Sequence, residues 1–481
     1  MPREPNFFGS FIANSHSGPW DYVQRVPIIF YGPGYIKAQG EINPERSITS
    51  ADIAPTIADL IGWPWPEDRP SSSLSDALVP AEERPEPPKL VLTVIWDGGG
   101  RNVLEQWPEE WPNLKKMVEG GTSFGNAYVA SSPSVTPSVH ATIGTGTFPD
   151  EHGIVDIPMR VNGEIVGSWP NARPSYLAVE TLADLYDRDN GNEPLIGMVG
   201  DHGWHLGMIG HDSYLQGGDA DIGVMYSDTQ VPITNEDFYE LPGYLLKIPG
   251  LEKDIPEIDL SDGEVDNRWM GNDVLEEHRL ARETPAATLY QTRLLKELMT
   301  NEGFGQDELP DLLFTNYKQI DYVGHRFNML EPEMREAVHY SDQELGELED
   351  FLNEYVGEGE WVIALSADHG STPAAEATGA WPIGTQEMLD DLSEHFGLPA
   401  NEIIDQTRVT GFWVNHDGLE ANGITEEDIS NFLLDMKVED NAVVIDELPE
   451  GYDEKLDEKI FSAVFPSSET NSIMECAGAE L

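Results

Sequence analysis

The sequence predicts an α/β protein with a mostly parallel central sheet, helices on both faces and inserted cap regions. Three unbroken apolar segments predict the sheet: "LVLTVIW" (Leu90–Trp96), "PDLLFTNY" (Pro310–Tyr317) and "WVIALS" (Trp361–Ser366). Strands that are apolar throughout are typical of parallel sheets covered by helices on both faces. Amphipathic helical patterns lie between these strands, the longest around Glu331–Val356. With 481 residues, 39% of them hydrophobic, the chain is long enough for one large domain with insertions.

The order of these patterns predicts a domain organisation. We expect an apolar strand at Val26–Gly32 and a helix at Ser50–Gly62. The predicted parts, by residue number, are a closing segment of the catalytic domain (1–65), a Pro- and Glu-rich linker (66–89), the first part of the catalytic core (90–160), an inserted cap (161–283), the second part of the core (284–380), and a small α/β cap with a C-terminal tail (381–481).

The charge balance excludes several classes of partner. Lys and Arg number 27 against 88 Asp and Glu, which gives a formal net charge of −61. Such a field repels duplex nucleic acid and anionic membranes, so we expect neither as a partner. The acidic residues are spread along the chain, which favours a halophilic protein over a merely acidic one. With one cysteine, Cys476, no export signal at the start and no run of about 18 apolar residues, we expect a cytoplasmic protein.

Side chains with metal-binding chemistry follow all three predicted strands. Asp97 follows the first strand, Asp321 and His325 stand one helical turn apart just past the second, and Asp368 and His369 follow the third. Ligands of parallel α/β sheets bind beyond the carboxyl ends of the strands. Carboxylates and imidazoles together suit zinc or manganese. Each residue taken alone could instead cap a turn or fill the core, but the whole set favours a metal site.

Thr136 is the candidate nucleophile. It precedes Pro137 in "SVTPSVHATIGTG", where a helix can begin with its free N–H groups directed at an anion. A hydroxyl at such a place, close to a metal, can act as a nucleophile. The alternative is that Thr136 is only a helix cap.

These segments resemble the alkaline phosphatase superfamily, and most closely its nucleotide pyrophosphatase/phosphodiesterase branch. The matching strings are "WDGGGRNVL", "PSVTPSVHATIGTGTFPDEHGI", "NYKQIDYVGH" and "SADHG", in the order typical of the family. The resemblance implies two divalent metal ions, zinc or else manganese. It implies that one metal is held by Asp97, Thr136, Asp368 and His369, and the second by Asp321, His325 and one further histidine.

The further histidine implied by the resemblance is His16. In the family it stands near the C-terminus, but the downstream candidates His395 and His416 lack the right surroundings. "HSGPWDYVQRVPIIFYGPG", followed by "SADIAPTIADLIG", resembles the closing segment of the family instead. We therefore predict a circularly permuted chain, since termini commonly lie together at the surface and can be relocated.

Two departures from the family affect the substrate. Ile157 stands where the branch has an asparagine that contacts a phosphoryl oxygen, and Arg160 or Asn162 could take over that contact. The monoesterases carry a Lys and an Arg in a stretch that corresponds here to "MVGDHGWHLGMIGH" (Met198–His211), which has neither. Its histidines His202, His205 and His211 either face the substrate or pack with Trp204.

The sequence therefore predicts a metal-dependent phosphohydrolase that cleaves a small phosphorylated substrate, a phosphodiester or a nucleotide pyrophosphate. Thr136 attacks phosphorus, and the phosphothreonine is then hydrolysed. The alternatives are a phosphomonoesterase of the same superfamily and a catalytically idle protein that binds metal or an anion.

Overall fold

A computed structural model describes residues 7–8, 15–226, 231–408, 411–441, 451–469 and 472. Cys476 lies outside these residues. The chain divides into two compact bodies. The larger is Pro19–Ser371, and the smaller combines Met1–Gly18 with Thr372–Leu481. No helix within the described ranges is both long enough and apolar enough to cross a membrane.

The strands are short apart from those in the middle of the main sheet. In chain order they are β1 (Phe7–Phe8), β2 (Ile28–Tyr31), β3 (Gly40–Ile42), β4 (Ile48–Thr49), β5 (Leu90–Trp96), β6 (Thr122–Phe124), β7 (Ala127–Tyr128), β8 (Pro158–Val161), β9 (Glu164–Gly167), β10 (Ile196–Gly200), β11 (Ile222–Met225), β12 (Asp311–Tyr317), β13 (Trp361–Ser366), β14 (Ile383–Gly384), β15 (Ile404–Arg408) and β16 (Gly411–Val414).

The helices alternate with these strands. They are α1 (Asp21–Gln24), α2 (Ile53–Leu60), α3 (Arg101–Gln106), α4 (Pro112–Gly120), α5 (Thr136–Thr145), α6 (Pro149–His152), α7 (Leu182–Asp189), α8 (Ile255–Leu260), α9 (His278–Ala281), α10 (Pro285–Glu302), α11 (Gln319–Arg326), α12 (Pro332–Leu352), α13 (Ala375–Thr378), α14 (Thr385–Phe396), α15 (His416–Asn422) and α16 (Glu426–Asp435).

An eight-stranded sheet forms the middle of the larger body, in the order β11-β10-β12-β5-β13-β2-β6-β3. The five strands from β11 to β13 are parallel, β2 runs antiparallel to both its neighbours, and β3 is parallel to β6. Every residue of β5, β12 and β13 is buried. The predicted α/β class and mostly parallel central sheet are therefore confirmed.

The N-terminal segment belongs to this sheet. β2 pairs with β13 from Tyr31–Ile363 to Ile28–Ser366, inside the predicted strand at Val26–Gly32. The closing segment predicted for 1–65 and the circular permutation both stay predictions.

Two predicted boundaries differ from the structure. Residues 161–283 are not only a cap, because β10 and β11 lie in this range and form one edge of the main sheet. Their apolar runs are only five and four residues long, so they are weak strand signals. Residues 66–89 are packed rather than a free linker, since Leu74 and Leu78 are buried and the Leu74 N–H donates to Thr56 Oγ1.

The smaller body has its own apolar core, which includes Met388, Leu392, Ile403 and Leu433. Its strands β15 and β16 form an antiparallel pair, and α14, α15 and α16 lie in the same part of the chain. The small α/β cap at 381–481 stays a prediction, since the smaller body has other bounds.

Candidate active site

Three buried carboxylates meet at the C-terminal edge of the main sheet. Asp97 follows β5, Asp321 lies in α11 just after β12, and Asp368 follows β13; each is at most 3% exposed. His369 joins them, with its Nε2 3.6 Å from Asp97 Oδ1, 3.3 Å from Asp368 Oδ2 and 4.0 Å from Asp321 Oδ1. These are four of the predicted metal ligands, and oxygen or nitrogen atoms of Asp97, Asp321 and His369 lie within 4.8 Å of one another.

A glycine turn after Asp97 allows this convergence. Gly98 has φ +71°, and a Cβ on it would lie 2.9 Å from the Asp321 Cα. A Cβ on Gly100 would lie 2.4 Å from the Cα of Gly370, two residues after Asp368. The Gly98 N–H donates to Asp368 Oδ1 at 3.0 Å. Any larger residue would push apart the segments that carry the carboxylates.

Thr136 is the first residue of α5, a helix whose ten residues are all buried. Its side chain is therefore at the positive end of the helix dipole, where unpaired N–H groups favour a negative charge. Thr136 itself is 2% exposed. This is the helix start that the Thr-Pro pair predicts.

Lys318 connects the Thr136 hydroxyl to the carboxylates of Asp97 and Asp321. It was not among the residues predicted from the sequence. Its Nζ lies 2.7 Å from Asp97 Oδ1 and 2.7 Å from Asp321 Oδ2, and it donates to Thr136 Oγ1 at 3.2 Å. Lys318 stands three residues before Asp321 in "NYKQIDYVGH". Residues three apart lie on the same face of a helix, so this spacing could have identified Lys318. Burial acts to lower the pKa of Lys318, but the carboxylates of Asp321 and Asp97 outweigh it and raise that pKa.

The charge of this group fits divalent cations. Burial and the neighbouring charge of Asp368 raise the pKa of Asp97 well above its ordinary value, although Lys318 opposes them. No described hydrogen-bond donor reaches Asp368 Oδ2. One ammonium does not balance three buried carboxylates, and buried charges need partners or metal ions. Oxygen and imidazole donors together suit zinc or manganese.

Asn316 and His140 fix the start of α5 against β12. The His140 Nδ1–H donates to the Thr136 carbonyl oxygen at 2.7 Å, and His140 Nε2 accepts from Asn316 Nδ2 at 2.9 Å. Asn316 Nδ2 also donates to Asp97 Oδ2 at 3.0 Å. Burial lowers the pKa of His140 to about 4, so its ring is neutral at neutral pH. Neither residue was singled out from the sequence.

His202, His205 and His211 are predicted either to face the substrate or to pack with Trp204, and His205 is the one that lies beside Asp97 and His140. Its ring is fully buried, with its centroid 4.8 Å from that of His140. One of its nitrogens lies within 4.8 Å of ligand atoms of Asp97 and His140. Burial, followed by the charge of His140, lowers its pKa well below the ordinary value.

His202 lies beside Asp201, the first residue of the second Asp-His-Gly string. His202 Nε2 is 3.0 Å from the Tyr322 hydroxyl, and its ring centroid is 4.3 Å from that of Trp204. Asp201 Oδ1 accepts from Tyr322 at 3.0 Å and lies 3.4 Å from Arg282 Nη1. Arg282 therefore brings a guanidinium to a stretch that has no Lys or Arg of its own.

His211 has a different environment from the other two. Its Nδ1 lies 2.9 Å from Asp184 Oδ2, and its Nε2–H donates to the Leu177 carbonyl at 2.9 Å. Burial acts to lower its pKa, but Asp184 outweighs burial and raises it. Both ring nitrogens of His211 are therefore engaged within the protein, and a contact of His211 with the substrate stays a prediction.

The remaining predicted residues lie outside the stretch Met198–His211. Arg160 lies on β8 and Asn162, with φ +52°, lies in the turn to β9, while Ile157 directly precedes that hairpin. His325 Nε2 is 3.2 Å from Asp321 Oδ1, as expected for ligands one turn apart. The other three histidines, His16, His395 and His416, are in the smaller body.

The sequence and the fold are similar to known phosphatases. A family model described as type I phosphodiesterase / nucleotide pyrophosphatase matches residues 91–461. Alkaline phosphatase PafA of Elizabethkingia meningoseptica is 22% identical over 437 residues, which is 78% of either chain. Alkaline phosphatase PhoK of Sphingomonas sp is 24% identical over 392 residues, 70% of this chain and 66% of that one. The crystal structure of wild-type PafA aligns with a TM-score of 0.60 and 21% identity, covering 72% of this chain and 76% of that one.

Fold, family model and relatives together define a phosphoric ester hydrolase of the alkaline phosphatase superfamily. Within it, the chain belongs to the type I phosphodiesterase / nucleotide pyrophosphatase family, whose model covers most of its length. Enzymes of this superfamily use divalent metal ions, in agreement with the buried carboxylates and imidazoles at the sheet edge.

Proposed function

We propose that this protein hydrolyses a small phosphodiester or a nucleotide pyrophosphate with Thr136 as the nucleophile. The observation that carries the proposal is the position of Thr136 Oγ1, buried at a helix start and bonded to an ammonium that also contacts Asp97 and Asp321. A phosphorus atom can reach this hydroxyl only when its phosphoryl oxygens lie beside the N–H groups at the start of α5 and the Lys318 ammonium. Both of these groups favour negative charge.

The proposed metal ligands are Asp97, Thr136, Asp368 and His369 for one ion, and Asp321 and His325 for the other. Two zinc or manganese ions, when bound, polarise the phosphoryl oxygens and lower the pKa of a bound hydroxyl or water.

The residues of the chain supply the rest of the reaction. A bond forms between Thr136 Oγ1 and phosphorus as the bond from phosphorus to the leaving oxygen breaks. The hydroxyl proton of Thr136 passes to water, and the leaving oxygen takes up a proton from water, so that the leaving group departs as an alcohol or a nucleotide. Water then cleaves the phosphothreonine and restores the hydroxyl. The Lys318 ammonium and the N–H groups of α5 stabilise the negative charge that collects on the phosphoryl oxygens. His140 and Asn316 hold the helix start in register.

A pocket beside His202 supports an ester with two substituents. It has a volume of about 960 Å³, and its lining includes Trp169, Trp204, Arg173 and His202. His202 bonds to Tyr322, the residue after the proposed ligand Asp321. Aromatic and guanidinium surfaces of this kind suit a nucleobase or another flat group.

The test compares release of p-nitrophenol from bis(p-nitrophenyl) phosphate and from p-nitrophenyl phosphate, in high KCl with zinc or manganese. We expect turnover of the diester, a higher kcat/KM for the diester than for the monoester, and loss of turnover in Thr136→Ala. Turnover that survives in Thr136→Ala would contradict the nucleophile assignment.

A phosphomonoesterase is the second candidate. Two observations favour it: the cations Lys318 and Arg282 near the site, which could hold a doubly charged phosphoryl group, and the two relatives named alkaline phosphatase. A higher kcat/KM for the monoester would select it. The idle metal- or anion-binding protein, which the missing asparagine at Ile157 leaves open, predicts bound metal without turnover of either ester.

The last ligand, His16, remains a prediction from the sequence resemblance. His16 is 8% exposed, and its Nδ1 lies 3.4 Å from the Ser17 hydroxyl, whereas His416 is exposed at the start of α15. Metal content measured on His16→Ala and His416→Ala tests the assignment. Loss of metal in the His416 variant alone would overturn both this ligand and the predicted permutation.

A further inference from the structure

Lys318 bonds two of the proposed ligands of one metal ion. This ion, termed the inner ion, has the proposed ligands Asp97, Thr136, Asp368 and His369. The Lys318 ammonium donates to Asp97 Oδ1 at 2.7 Å and to Thr136 Oγ1 at 3.2 Å. The inner ion therefore needs oxygen atoms that already accept hydrogen bonds from a buried cation.

The second oxygen of Asp97 also accepts a hydrogen bond. Asp97 Oδ2 accepts from Asn316 Nδ2 at 3.0 Å, so both carboxylate oxygens hold bonds within the chain. An ion can bind Asp97 only by replacing one of these donors or by lying beside it. The Asn316 amide is neutral, whereas the Lys318 ammonium carries a positive charge that repels a metal ion. The ammonium is thus the donor that conflicts with the inner ion.

Asp368 indicates that one ammonium is not enough for this group of carboxylates. Asp368 is fully buried, its Oδ1 accepts from the Gly98 N–H at 3.0 Å, and no donor among the described residues reaches its Oδ2. Asp368 Oδ2 lies 3.3 Å from His369 Nε2. A buried carboxylate oxygen without a donor requires a cation close by. Asp368 and His369 are therefore the part of the inner site that attracts a metal ion.

The second ion, termed the outer ion, meets less competition from the ammonium. Its proposed ligands include Asp321 and His325. Lys318 Nζ lies 2.7 Å from Asp321 Oδ2, whereas Asp321 Oδ1 is the oxygen that lies 3.2 Å from His325 Nε2. Asp321 can therefore bind the outer ion through Oδ1 and keep its contact with Lys318 through Oδ2.

The charge of the buried group also separates the two ions. When ionised, Asp97, Asp321 and Asp368 carry three negative charges, and the Lys318 ammonium carries one positive charge. One divalent ion balances the two negative charges that remain. A second ion then binds against a net positive charge, and water screens this repulsion little because Lys318 is 4% exposed.

We propose that the Lys318 ammonium competes with the inner ion, which binds last and moves the ammonium away from Asp97 and Thr136. This inference rests on the proposed function and concerns the metal loading of the same site. The moved ammonium keeps Asp321 as its partner and contacts the phosphoryl oxygens of the substrate. The protein therefore loads its metal ions in two steps, and its turnover follows the concentration of zinc or manganese at which the inner ion binds.

The experiment measures zinc binding to the whole protein without substrate. Zinc is titrated against a chromophoric chelator at constant pH and KCl, and native mass spectrometry counts the bound ions. The proteins are wild type, Lys318→Met and Lys318→Arg, which keeps the positive charge. Lys296→Met is the matched control, because it removes an ammonium that lies 3.0 Å from Glu347 on the surface.

We expect two binding steps of unequal affinity in wild type and in the control. Lys318→Met should bind the weaker ion at least about tenfold more tightly, since a repelling charge and a competing donor are gone. The tighter step should change less, because the outer ion uses the Asp321 oxygen that faces His325. Lys318→Arg should remain closer to wild type than Lys318→Met does.

Unchanged or weaker zinc binding in Lys318→Met would overturn the inference. A wild type that binds only one ion supports it if Lys318→Met binds two, and overturns it if Lys318→Met also binds one. No ester is present in the titration, so tighter binding in Lys318→Met without turnover of any ester by wild type would contradict the proposed function alone. If Lys318→Met does not fold without metal, Lys318→Gln takes its place in the titration.

Discussion

Replacing Lys318 by methionine removes the one ammonium that bridges the nucleophile and two predicted metal ligands. Methionine keeps most of the length and apolar stem of lysine, so the change is mainly in charge and hydrogen bonding. The three lost contacts are those to Asp97 and Asp321, at 2.7 Å each, and to Thr136, at 3.2 Å.

Two magnitudes follow from these contacts. Loss of a fixed donor to developing charge typically lowers kcat by about 10²–10³-fold, and we expect this range because Lys318 bonds the attacking oxygen itself. Removing one partner of a buried ion pair costs about 3–5 kcal/mol. We expect that loss in the free energy of unfolding of the metal-free protein, since Lys318 is only 4% exposed.

The assay measures kcat and KM for bis(p-nitrophenyl) phosphate, bound zinc by mass spectrometry, and chemical unfolding in chelator. The matched control is Lys296→Met, which removes an ammonium that is 3.0 Å from Glu347 on the surface. There we expect unchanged kinetics and a loss of at most about 1 kcal/mol. A Lys318→Met enzyme with wild-type zinc content and a kcat within threefold of wild type would refute this role.

Three more outcomes are expected. A chelator should abolish activity and zinc or manganese should restore it, and Asp368→Asn should bind these ions more weakly when titrated by calorimetry, because a buried oxygen without a described donor is lost as a charged ligand. Burial lowers the pKa of His152 from 6.5 to about 3, so its contribution to stability is present above pH 6.5 and is lost as pH falls towards 3. His152→Gln should therefore flatten the fall in unfolding free energy in acid by about 1.4 kcal/mol per pH unit, and an unchanged slope would contradict this. The pKa of His211 is raised by Asp184, so its contribution is present below pH 6.5 and is lost as pH rises through the raised pKa. In chemical unfolding at pH 6 and pH 9, His211→Gln should be destabilised at pH 6 more than at pH 9, and equal destabilisation would argue against a charged His211.

The sequence predicted well which side chains come together at the C-terminal edge of the main sheet, because their positions depend on local patterns. Asp97 and Asp368 directly follow strands that are apolar throughout, and Thr136 stands in a recognisable Thr-Pro helix start. Parallel pairing brings such positions to one edge whatever the loops between them do. The spacing of Asp321 and His325 likewise fixes them on one helix face.

Other residues depended on tertiary packing that no local pattern encodes. Arg282 follows a four-residue helix, yet it meets Asp201 across 81 residues of chain. His205 lies in a loop that resembles any other glycine-rich loop until α5 packs against it. The strands β10 and β11 were missed because their apolar runs are short and glycine interrupts each.

The position of β2 has a consequence for how the protein is made. The hydroxyl of Ser366 in β13 donates to the carbonyl of Pro27, just before β2, across 339 residues of chain. At about 5–20 residues per second, a ribosome needs roughly 17–70 s to make the intervening chain. During that interval β2 has no β13 to pair with, so the middle of the sheet closes late in synthesis. Such distant pairing slows folding and leaves a strand edge exposed to aggregation for longer than in a chain whose neighbouring strands are made in succession.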